Sequence, residues 1–233
     1  MTLLIPNDNR HSGRGGRSKN VFLRPKIRIL LILLVGAIGA AYWGYGYFRL
    51  SLDPEWGSGF EGDLPWLGAE SPSLVVHEYF DYECPHCLSA HKKLRRKLRR
   101  HPERLRIVRH DYARMSCRLG DNDERASRCT MVRAAYCAGR SNKYWEWNDA
   151  VIENPKPPSG ESRSTFELEL AREMGFDPVL FEKCLHEKST IDAAEAIFRE
   201  ARQNGIKGTP YYIARGRRMT SREVLDFIEA SLR

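Results

Sequence analysis

Residues 74–87 read LVVHEYFDYECPHC, and no other stretch narrows the possible folds so far. An apolar, β-branched run ends in two cysteines separated only by Pro85 and His86. The run reads as a buried strand over residues 73–80. From Cys84 the pattern turns helical through Leu88, Leu94 and Leu98, to about residue 100. Sulfurs at i and i+3 can close a small disulfide where a helix begins, and that position also activates them. The first turn presents free N–H groups and the positive end of the helix dipole. A thiolate at Cys84 is stabilised there. Pro85 suits the first turn because its missing N–H would be unsatisfied anyway, and His86 adds a donor beside the sulfur. A stabilised thiolate is a good leaving group, which makes the disulfide form an oxidant. Cys84, at the tip, is then the exposed sulfur that partners attack, and Cys87, one turn in, the buried or resolving one. Two blander readings stand beside this: a structural staple, or half of a zinc site. A closed zinc site needs two further ligands, and the chain offers no second C-x-x-C and no paired histidines at helical spacing.

The rest of the pattern points to an α/β fold. Residues 104–111 (RLRIVRHD) read as a second strand, so strand, helix and strand follow within forty residues, which favours a parallel sheet. Residues 126–188 read as mostly helical, and residues 191–204 as an amphipathic helix ending at Gly205. A short strand follows the Thr209–Pro210 step, and residues 215–218 turn a hairpin into an edge strand. Thr220 and Glu223 form a capping box that opens the last helix.

The run from Glu78 to Cys87, EYFDYECPHC, with Thr209–Pro210 far downstream, resembles the DsbA-like thiol-disulfide oxidoreductases of the thioredoxin superfamily. The resemblance covers residues 73–233, and CAGRSNKYWEWND, residues 137–149, is similar to that group's helical insertion. It implies a thioredoxin fold with a helical insertion over about residues 114–204. It implies that Cys84 is the nucleophile, Cys87 its partner, and Pro210 a cis-proline that packs on the disulfide and helps bind substrate backbone. Thr209 then tunes redox behaviour, and Glu78 is the acid beneath the active site, a proton acceptor for Cys87. Burial of that strand would push the Glu78 carboxyl up by desolvation, although strand alternation leaves open an outward-facing Glu78. His77 should face the opposite way and be structural.

Four cysteines remain. A Cys117–Cys129 bridge is favoured because the polar loop between them has little else to hold it. Cys137 and Cys184 stay open between bridging each other and remaining buried thiols.

Ahead of the domain, residues 29–48 run for twenty positions without a charge, long enough to span a bilayer as a helix. Residues 1–28 hold seven Lys or Arg and one acid, so this tail carries +6 of the net +8 and leaves the rest nearly balanced. The high pI therefore describes a basic tail rather than a nucleic-acid-binding domain. By the positive-inside rule the tail is cytoplasmic and the domain lies outside. A cleaved signal peptide is the rival reading, opposed by the long lead and the aromatic exit from Tyr42 to Phe48. Residues 49–72, rich in Gly, Pro and acids, read as a tether. Six cysteines beyond the anchor fit an oxidising compartment.

The expected protein is thus a single-pass protein of a bacterial inner membrane, with a periplasmic domain that exchanges disulfides with exported proteins as an oxidant. No soluble cofactor is implied, but a membrane partner must reset the pair, a quinone-linked oxidase or an electron-supplying reductase. The alternatives are a reductase or isomerase on the same fold, and a non-catalytic metal-binding or assembly module. The run KKLRRKLRR, residues 92–100, reads as a solvated face, with contact to anionic lipid as the sharper possibility.

Overall fold

The computed structural model describes residues 56–118, 126–154 and 163–233, together with Leu34 and Gly36. The expected anchor over residues 29–48 lies outside the described residues except at Leu34 and Gly36. Among the described residues no helix is long and apolar enough to cross a membrane.

Six strands form one sheet: β1 (Gly57–Glu61), β2 (Leu64–Gly68), β3 (Leu74–Phe80), β4 (Leu105–Asp111), β5 (Tyr211–Ala214) and β6 (Arg217–Met219), in the spatial order β1-β2-β4-β3-β5-β6. The two central strands, β3 and β4, run parallel, and every other pairing is antiparallel. Their connection is α1 (Pro85–Arg100), the crossover helix that a parallel pair requires. Along β3, Leu74, Val76, Glu78 and Phe80 share one face with Leu105, Ile107, Arg109 and Asp111 of β4. That face meets the apolar stripe of α1, made of Cys87, Ala90, His91, Leu94 and Leu98. The same core takes in Val224 and Ile228 of the last helix, α7 (Ser221–Ser231), which opens with the expected capping box at Thr220. On the opposite face, Tyr79 packs on Ala201, Ile197 and Phe198 of α6 (Lys188–Gln203).

Between β4 and α6 come α2 (Ala126–Gly139), α3 (Tyr144–Glu153), α4 (Arg163–Glu173) and α5 (Pro178–Leu185). With α6 they fill the helical insertion expected over about residues 114–204. Two disulfides tie it down: Cys117–Cys129, and Cys137–Cys184 between α2 and α5. The bridges close segments of 12 and 47 residues. They are worth about 3 and about 4 kcal/mol in the chain-entropy account.

The tether expected over residues 49–72 is corrected between Gly57 and Gly68, which form the β1–β2 hairpin at the sheet's edge. β2 pairs with β4, and Trp145 of the insertion donates its indole N–H to the Trp66 carbonyl at 2.8 Å. This segment is therefore part of the domain. The basic run on α1 is partly paired: Arg95 reaches Asp149 at 3.0 Å, and Lys97 and Arg100 both reach Glu229 of α7.

Candidate active site

β3 ends at Phe80 and the chain turns through Asp81, Tyr82 and Glu83 into α1. Cys84 is the N-cap residue, with extended backbone, and Pro85 occupies the first helical position. The carbonyl of Cys84 accepts from the Cys87 and Leu88 amides at 2.9 and 3.2 Å. Asp81 holds the turn from the other side. Its carbonyl accepts from the Cys84 amide at 3.0 Å and its carboxylate from the Glu83 amide at 2.9 Å. The same carboxylate, itself buried, pairs with Arg114 Nε at 2.7 Å and with Arg128. Arg128 neighbours Cys129, so the first disulfide and the active-site turn share one anchorage.

Both active-site cysteines are free thiols. Cys84 is 7% exposed and Cys87 0%, so the ordering expected from the sequence stands while the expectation of an openly exposed Cys84 is corrected. The physical reason is the loop before β5. The Thr209–Pro210 bond is cis, and the Thr209 carbonyl lies 3.6 Å from Cys84 Sγ, accepting from its thiol. Thr209, with Pro210 next to it and far away in sequence, is thus brought against Cys84. Pro85 and His86 are exposed on the first turn of α1. Burial pushes the Cys87 thiol up, and the nearby polar groups of Thr209 and the Asp81 backbone offset only part of that. Cys87 is therefore held as a protonated thiol while Cys84 sits at the helix tip.

On β3, Glu78 is 0% exposed and faces the core, on the side that α1 covers, as its register requires. Its carboxylate Oε2 is 2.9 Å from His91 Nδ1 and 3.2 Å from Arg109 Nη2, and its Oε1 accepts from the Tyr212 hydroxyl at 3.3 Å. The expected rise of the Glu78 carboxyl is corrected. Burial does push it up, but His91 and Arg109 outweigh that and hold it below the usual carboxylate range. Arg109 is fully buried, donates to Asn148 Oδ1 at 3.0 Å and lies 3.9 Å over the Phe80 ring. Farther along β4, Asp111 accepts from the Tyr144 hydroxyl at 2.8 Å, and burial pushes its carboxyl up to about 6. His77 faces the other way, 3.0 Å from His110, in a separate polar cluster with Glu200.

Sequence reasoning did not pick out Arg109, His91, Tyr212 or Asp81 as site residues. The first two left a signal. Arg109 occupies an apolar-parity position in β4, and His91 lies on the apolar stripe of α1. Among the described residues no three His, Cys, Asp or Glu side chains are grouped to hold a metal ion.

A pair of thiols at a helix tip beside a cis-proline can do disulfide chemistry, and similar proteins share the frame. The thioredoxin-like oxidoreductase of Silicibacter pomeroyi superposes with a TM-score of 0.59 at 22% identity, over 73% of this chain and 93% of that one. BdbD of Bacillus subtilis, in its oxidised form, gives 0.60 at 15% identity, over 77% and 99%. MdbA of Corynebacterium diphtheriae, a thiol-disulfide oxidoreductase, gives 0.57 at 16% identity, over 76% and 93%. At these identities the likeness is one of fold. No curated protein sequence matches the chain. The sequence profile of the Thioredoxin family does match, over residues 61–230. With the order of its elements, the placement of Cys84 and Cys87 and that profile in agreement, the chain belongs to the thioredoxin family.

Proposed function

We propose that the protein is a thiol-disulfide oxidoreductase that exchanges disulfides with exported proteins through a mixed disulfide at Cys84, acting as an oxidant. The observation that carries this is the placement of Cys84. It caps α1 with its sulfur against the Thr209 carbonyl, while Cys87 is buried one turn behind it. In the oxidising half-reaction a substrate thiolate attacks Cys84 Sγ of the Cys84–Cys87 disulfide. That bond breaks, its electron pair goes to the Cys87 sulfur, and Cys87 takes up a proton. A second substrate thiolate then attacks the substrate sulfur of the mixed disulfide and expels Cys84 as a thiolate. The substrate loses two electrons and the enzyme pair gains them. The helix tip favours Cys84 as leaving group, which supports the oxidising direction.

Residues 29–48 anchor the domain in a bacterial inner membrane, the basic tail cytoplasmic and the domain periplasmic. The support is the uncharged span with its basic flank, and the two structural disulfides, which suit an oxidising compartment. A membrane redox partner then reoxidises the pair. Equilibration of the protein with glutathione buffers tests the direction. An oxidant should be half reduced at about −120 mV, whereas a value of about −270 mV selects a reductase instead.

A further inference from the structure

Charge is spread unevenly along the chain. Residues 29–233 sum to +2, yet α1 alone carries seven Lys or Arg and no acid, so everything outside that helix sums to −5. The seven crowd into residues 92–100, on the side of α1 opposite Ala90, Leu94 and Leu98, which pack in the core. Arg95 pairs with Asp149, and Lys97 and Arg100 share Glu229. Lys92, Lys93 and Arg96 are exposed, and among the described residues no acid pairs with them. Arg96 donates only to the Lys92 carbonyl of its own helix, at 3.2 Å. Helix stability does not explain the run. Lys92 and Arg96, Lys93 and Lys97, Arg95 and Arg99, and Arg96 and Arg100 are like charges four residues apart, which repel. The helix dipole rewards cations only in the last turn. A helix face that merely meets water ordinarily mixes both signs.

The chain itself enters the domain at this face. Trp56, the first residue of the described domain, stacks on Arg95 with its ring 4.5 Å from the guanidinium carbon, and Arg99 lies at 6.0 Å. Phe48, where the uncharged run ends, is eight residues earlier. A chain of that length reaches at most about 28 Å, while a domain of this size is on the order of 40 Å across. We propose that the basic face of α1 docks on the anionic headgroups of the membrane that holds the anchor. The proposal rests on the anchor reading above. Headgroup phosphates supply the acidic partners that Lys92, Lys93 and Arg96 lack, and a short tether beside α1 keeps that face within their reach. The −5 carried outside α1 is repelled by the same surface, so attraction and repulsion select one orientation. Cys84 stands at the other end of α1, about 24 Å from Arg100 along the helix axis. Docking through residues 92–100 thus leaves the thiol pair clear of the lipid and open to exported chains.

The full chain reconstituted into lipid nanodiscs tests this through amine acetylation read by mass spectrometry. Discs of phosphatidylcholine alone are compared with discs containing about one third phosphatidylglycerol. Lys92 and Lys93 should label about fivefold more slowly in the anionic discs, while Lys183, exposed on α5, labels at one rate in both. Salt at about 0.5 M should remove the difference. Arg96→Glu should lower the protection of Lys92 and Lys93 to about twofold or less and leave the rate of disulfide exchange at the wild-type value. Equal labelling of Lys92 and Lys93 in the two kinds of disc, with the chain held in each, overturns the docking, leaves the face to water or to an acidic protein, and spares the anchor. A chain recovered outside both kinds of disc defeats the anchor reading and the docking with it.

Discussion

Cys84 and Cys87 differ by one helical turn, and that turn separates their tasks. Cys84 caps the helix at its first turn, with its sulfur against the Thr209 carbonyl. Cys87 lies in the core, where burial favours the thiol. The same contest between burial and charge sets the two carboxylates of the central strands, with opposite outcomes. At Glu78 the adjacent cations win and the carboxyl is lowered; at Asp111 burial wins and the carboxyl rises from 3.8 to about 6. A lowered carboxyl contributes stability above its unfolded value of 4.5 that is lost as pH falls. A raised one contributes stability below 3.8 that is lost as pH rises to about 6. Of these two carboxylates, only Asp111 acts between 4.5 and about 6. Asp111→Asn retains an acceptor for the Tyr144 hydroxyl and removes the ionisation. Relative to wild type it should gain about 3 kcal/mol between pH 4 and pH 7, read from urea unfolding midpoints. Parallel pH profiles for the two proteins would refute this account of Asp111.

At the scale of elements, the β1–β2 hairpin depends on close backbone approach. Gly68 has φ +120°, and a Cβ there would stand 2.3 Å from the Leu105 carbonyl and 2.8 Å from Leu98 Cδ1. Gly68→Ala should therefore cost on the order of 3 kcal/mol, measured by denaturant unfolding, and a loss near zero would show that β2 does not pair as described. This hairpin is also where the sequence misleads. Its glycines and proline resemble a tether, yet a Cβ at Gly59 would meet the Trp66 ring at 2.9 Å, so that glycine serves packing. β2 is held between β1 and β4, and its pairing with β4, some forty residues away, leaves no trace in the local pattern. The elements with their own periodicity or caps, β3, α1, β4 and α7, were legible at once. So were Cys84, Cys87 and Pro210, whose motif is local or whose backbone is distinctive. The partners of Glu78 were not, because the register of three strands, rather than any one segment, decides that Arg109 and Tyr212 reach it.

Across the whole molecule, the sheet carries the site and the insertion braces it. Cys117–Cys129 fixes the segment next to Arg128, which with Arg114 grips Asp81 in the active-site turn. Cys137–Cys184 clamps α2 to α5 farther out. Only the remaining pair is left as thiols, one at a helix tip and one in the core. The account stands on Cys84 being the sulfur that joins to partners and Cys87 the one that frees them. Expression of Cys87→Ala in its native envelope, with mass spectrometry of the adducts, tests this directly. The account predicts protein mixed disulfides that accumulate through Cys84 and vanish in the Cys84→Ala/Cys87→Ala double variant. Adducts that survive the loss of Cys84, or none at all when Cys87 is removed, would contradict it.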